Sequence, residues 1–102
     1  DEKNIYYLSI INQRLNKLME AHNISEENNS SVENTIDKLK PPVFWKDKKY
    51  FTLQLNKLNK DKIKKILNRT YELEIKMKSF TINNKDLLMK KLLIDICTLA
   101  NA

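Results

Sequence analysis

None of the 102 residues is glycine, and only two are proline. Average usage, about 7%, would place roughly seven glycines in such a chain. Glycine is the default wherever the backbone takes positive φ. Its absence removes glycine-rich phosphate loops, dinucleotide-binding fingerprints and most tight hairpin turns. Strand-like alternation is weak throughout, so the chain is expected to be all-α.

Apolar residues at three- and four-residue steps dominate the sequence. Ile5, Leu8, Ile11, Leu15, Leu18 and His22 line one face of a first helix over 3–22, with Asn23 as its stop. The polar stretch 23–31 reads as a loop. Ser30 and Glu33 have capping-box spacing ahead of a short second helix over 31–39, which Pro41 and Pro42 terminate. A third helix over 44–57 carries the stripe Phe44, Lys48, Phe51, Leu55 and Leu58, in which Lys48 buries only its stem; Trp45 and Tyr50 lie off the stripe. Asn59 caps a fourth helix over 60–79, with Ile63, Ile66, Leu67, Thr70, Leu73 or Glu74, and Met77 facing inward. After a turn at 79–83, Asn84 caps a fifth helix over 85–100. Its broad apolar arc, from Leu87 to Leu99, places it centrally in the bundle. The expected core includes Leu8, Ile11, Leu15, Phe44, Phe51, Leu55, Ile66, Leu67, Leu92 and Ile96.

Hydrophobic residues are 41% of the chain, enough for one core, so residues 1–102 read as a single helical domain. A charged fraction of 31%, both signs interspersed, argues against wholesale disorder. No apolar run approaches the roughly 20 residues a membrane span needs. There is no secretory signal pattern, and residue 1 is not Met. We therefore expect residue 1 to be a cut inside a longer protein.

The net charge of +6 is uneven. Residues 1–40 carry a net −2 and residues 41–102 a net +8, with eight lysines between Lys46 and Lys65. Such a block suits nucleic acid or an acidic partner. The basic set is seventeen Lys and two Arg, however, and Lys lacks the forked geometry that reads bases.

Enzyme chemistry finds no footing. One Cys and one His exclude a disulfide framework and a Cys/His zinc cluster, and no metal or cofactor is expected. His22 stands where the first helix should end, which suits capping rather than catalysis. Cys97 lies among Leu and Ile and reads as a buried, inert thiol. Glu72 and Glu74 are two apart and diverge on a helix, so they are no catalytic pair, whereas Glu74 and Lys78 form a favourable i,i+4 pair. Asn23, Asn29 and Asn68 begin glycosylation-type triplets, which mean little without a secretory signal.

Two segments stand out, the block Lys40-Pro41-Pro42-Val43-Phe44-Trp45-Lys46 and the acid-to-lysine pair Glu74 and Lys78. Together with Phe51, Gln54 and Leu55 between them and the Leu-rich last helix, they resemble in order and spacing the C-terminal collar domain of the delta subunit of the bacterial DNA polymerase III clamp loader. The resemblance spans essentially the whole chain. It departs at the last inter-helix turn, where a glycine is common and Phe80, Asn83 and Asn84 stand instead.

The resemblance implies a five-helix bundle of collar type and a non-catalytic role in DNA replication. Collars of the ATPase and other subunits pack into a ring that holds the loader together. The sliding clamp is met only by an N-terminal module outside this chain. Trp45 and Tyr50 are the candidate subunit interface. Phe80, with Lys76 and Lys78, is the candidate DNA contact, by stacking on an unpaired base; the alternative, commoner for an aromatic in a turn, is a ring folded back onto the core. The alternative reading is a small basic helical domain that binds nucleic acid on its own.

Overall fold

A computed structural model describes residues 2–79 and 84–102, and among these the chain is all-helical, with five helices and no strand. They are α1 (Glu2–Asn28), a 3₁₀ helix (Glu33–Lys38), α2 (Lys48–Lys57), α3 (Lys60–Met77) and α4 (Lys85–Ala100). The molecule measures 47 × 27 × 21 Å, its long dimension matching the roughly 40 Å of a 27-residue helix. No helix among the described residues is long and apolar enough to cross a membrane.

α1 runs five residues beyond the expected stop at Asn23 and takes in most of the supposed loop 23–31. Its closure still uses asparagine, but at Asn29, whose φ is 49°. Asn29 N–H bonds the Glu26 carbonyl and Ser30 N–H bonds the Ser25 carbonyl, the paired bonds of a Schellman motif. Ser25 Oγ also donates to the Ser30 carbonyl, and Ile24 packs against the core. The expected capping box is therefore not made. Ser30 belongs to the end of α1, with its Oγ buried and unbonded, while Ser31 Oγ accepts from Asn34 N–H at 3.3 Å. Glu33 instead accepts from the Asn56 side chain on α2 at 3.2 Å. The second helix is a 3₁₀ piece pinned by buried Thr35, whose hydroxyl donates to the Val32 carbonyl at 2.6 Å.

α2 begins at Lys48, four residues later than expected. Phe44 therefore precedes the helix, cannot continue its stripe, and stands exposed rather than in the core. Val43 turns inward in its place, beside Phe51, Leu55 and Leu58. Lys48 sits exposed at the helix start and pairs with Asp37 at 2.9 Å.

α3 is the central helix, lying between α1 and α4. Its buried Ile63, Ile66, Thr70, Leu73 and Met77 follow alternating three- and four-residue steps. Asn59 caps it as expected, Oδ1 accepting from Lys62 N–H at 2.8 Å. It ends at Met77, and Glu74 and Lys78 form their i,i+4 pair at 3.5 Å. α4, expected to be central, is peripheral. It packs on α3 and only lightly on α1, burying Met89 and Leu92 fully while Leu87, Leu93 and Ile94 face outward. Asn84 does not cap α4 through its side chain but takes a left-handed backbone, φ 59°. The C-terminal end of α4 has no basic residue of its own in its last turn. Lys62 of α3 supplies the cation, donating from Nζ to the Ala100 carbonyl at 3.2 Å.

The core divides into two clusters. The larger gathers Leu15, Leu18, Leu39, Phe51, Leu55 and Ile63 with their neighbours, and the smaller holds Leu8, Leu73, Met77, Met89 and Leu92. Ile11 and Ile96, expected in the core, are half-buried and touch both clusters; Leu67 is also half-buried.

Candidate interaction surface

The block from Lys40 to Tyr50 leads into the first turn of α2 and is held to the body of the domain at two points. Val43 is buried below it. Asp47, at the start of α2, is bound by the Arg14 guanidinium of α1, which also lies 5.3 Å from the centre of the Phe51 ring. Between these anchors the chain makes a turn, with Asp47 N–H donating to the Phe44 carbonyl at 2.8 Å. A turn fixed at both ends leaves its middle residues outside. Phe44 is 62% exposed and Trp45 69%, their rings 5.9 Å apart and tilted by 47°. Lys46 Nζ lies 5.3 Å from the Trp45 ring centre, within cation–π range. Tyr50 follows on α2, 62% exposed, sharing a helix face with exposed Leu53 and Lys57. Pro41 and Pro42 are exposed.

The candidate interface residues Trp45 and Tyr50 are thus both outward. The motif residue Phe44 joins them, although it was expected inside. Glu74, Lys76 and Lys78 lie at the far end of α3, and no hydrogen bond or ring contact ties them to the aromatic block. Phe80, the candidate DNA contact, lies outside the described residues, as does most of the turn 79–83.

The lysine block is spread over several elements. Lys48 pairs with Asp37, Lys60 with Glu26 at 3.0 Å, and Lys62 is committed to the end of α4. Lys60 and Lys64 share a shallow depression with Glu26 and Asp61, so basic and acidic groups alternate there. Among the described residues, no group of three or more His, Cys, Asp or Glu side chains could hold a metal ion.

Two side chains differ from their expected roles. His22 lies within α1 rather than at its end. It does cap a helix, however, since Nε2–H donates to the Leu58 carbonyl at the C-terminus of α2, 2.7 Å away. Cys97 is exposed, because α4 turns only part of its apolar arc toward α3. Cys97 lines an apolar groove between α1 and α4, to which Gln54 and Lys57 of α2 also contribute. The spacing of α4 gives a width of apolar surface but not the side it buries, so the groove has no signature in the sequence.

Compared with protein-family models, curated proteins and solved structures, the chain matches none.

Proposed function

We propose that this chain is a non-catalytic assembly domain of the clamp-loader collar type, from the delta-subunit family it resembles. Its partners would be the collar domains of the loader's ATPase and other subunits, in the cytoplasm. The observation that carries this reading is the block Phe44, Trp45 and Tyr50, three exposed aromatics on a backbone fixed by Val43 and Asp47. Large aromatics on a rigid support are the usual anchors of protein interfaces, because little side-chain freedom is lost on burial. The sequence places this block in the Pro-Pro-aromatic-basic segment that carries the family resemblance.

A stand-alone nucleic-acid domain fits less well. Three lysines of the basic block are committed to Asp37, Glu26 and the end of α4, and the rest are distributed over two helices and a turn. The test is co-purification of the chain with the collar domains of the loader's ATPase subunits. A complex is expected, and Trp45→Ala should weaken it about tenfold or more, as removal of an interface hot spot does. Failure of the wild-type chain to join any of them, together with tight primer-template binding at fixed salt, would transfer the assignment to nucleic acid.

A further inference from the structure

The groove between α1 and α4 is a second surface, distinct from the aromatic turn. Ile10, Leu15 and Leu18 line it from α1, and Leu93, Ile96 and Ala100 from α4. Ile10 and Leu93 stand 45% and 49% exposed on its two walls. The stretch from Ile10 to Leu18 is about 12 Å long, rather more than two helical turns. A trough of that length between two helices is the shape a third helix fills by setting a row of apolar side chains into it.

The charges choose among occupants. Among the described residues, the charged side chains lining the groove are Arg14 and Lys57, and no carboxylate lines it. Arg14 already holds Asp47, while Lys57 makes no ion pair among the described residues. A second copy of this chain packed groove to groove would set its own Arg14 and Lys57 against this rim. We infer that the groove docks an amphipathic helix of another protein, with a Leu/Ile stripe flanked by glutamate or aspartate. That this helix belongs to a neighbouring loader subunit rests on the assembly reading above; the acidic, apolar chemistry of the helix rests on the groove alone.

The test uses the 102-residue chain and two synthetic helical peptides of about four turns, with one Leu/Ile stripe flanked in one by Glu and in the other by Lys. Binding is read by fluorescence anisotropy of the labelled peptides. Occupancy is read by the rate at which iodoacetamide alkylates Cys97, the only cysteine. The Glu-flanked peptide should bind about tenfold or more tighter than the Lys-flanked one, and should slow alkylation. Leu93→Asp should weaken it about tenfold or more, whereas Ile94→Asp, outside the groove, should leave it unchanged. Lys57→Glu should narrow the preference for the Glu peptide by about two- to fivefold.

Equal affinity for the two peptides, no binding, or an Ile94→Asp effect as large as that of Leu93→Asp would overturn the proposal. So would Cys97 protection that rises with chain concentration alone, which would assign the groove to a second copy. A chain that joins the ATPase collars but binds neither peptide loses the groove and keeps the assembly role. The reverse pattern keeps the groove and loses that role.

Discussion

Phe51 and Trp45 lie six residues apart and have opposite fates. Phe51 has no exposed surface and sits beneath the Arg14 guanidinium. Phe51→Ala should cost about 3–5 kcal/mol of stability in urea unfolding. Trp45→Ala should change stability by no more than about 0.5 kcal/mol, because its ring contacts are Phe44 and Lys46 at the surface. A large loss with Trp45→Ala would show that the turn is part of the core. Phe51, Leu55 and Ile66 were legible in the sequence because they lie inside helices whose period runs unbroken. Phe44 was misread because the same period was carried across a helix start. That start depends on Asp47 meeting Arg14, residues 33 positions apart, and local spacing holds no record of such a contact. The capping role of His22 was legible but its helix was not, for a related reason: the carbonyl it caps belongs to a different helix.

At the scale of elements, helix existence was legible and helix ends were less so. The segment 23–28 is polar, yet it continues α1 because Ile24 finds the core and Asn29 closes the turn. At φ 49° a Cβ crowds the following carbonyl oxygen, and alanine lacks the short polar side chain with which asparagine offsets that crowding, so Asn29→Ala should destabilise the chain by about 1 kcal/mol. Asn29→Gly should be neutral or stabilising in the same unfolding experiment. If both substitutions behaved alike, the left-handed closure at this position would be wrong. The end of α4 depends on Lys62 from the neighbouring helix. Lys62→Gln should therefore raise hydrogen exchange in the last turn of α4 while leaving α3 protected. The misplacement of α4 follows from its composition. A helix apolar over a broad arc can be central, or it can be peripheral with a face left for something else, and the burial of Met89 and Leu92 against α3 makes it the second.

The whole molecule presents two outward surfaces of different chemistry, an aromatic turn and an apolar groove, around one helical body. In the assembly reading, a ring member needs two unlike flanks, since head-to-tail contacts join different patches. The isolated chain should sediment as a monomer at micromolar concentration, because its +6 charge opposes self-association. A stable dimer in sedimentation would contradict this. The divided core has a further consequence, in time rather than in shape. The smaller cluster joins the start of α1, the end of α3 and the first half of α4, and it meets the larger one through Ile11 and Ile96. Regions with fewer buried neighbours open first, as cooperative units below the global unfolding free energy. Amides around Met89 and Leu92 should then exchange through a partial opening that leaves those around Phe51 and Leu55 closed. The end of the domain nearest Leu8 would breathe while the end built on Phe51 kept its form, so a neighbour held at the Trp45 turn would stay in place as the other end adjusted.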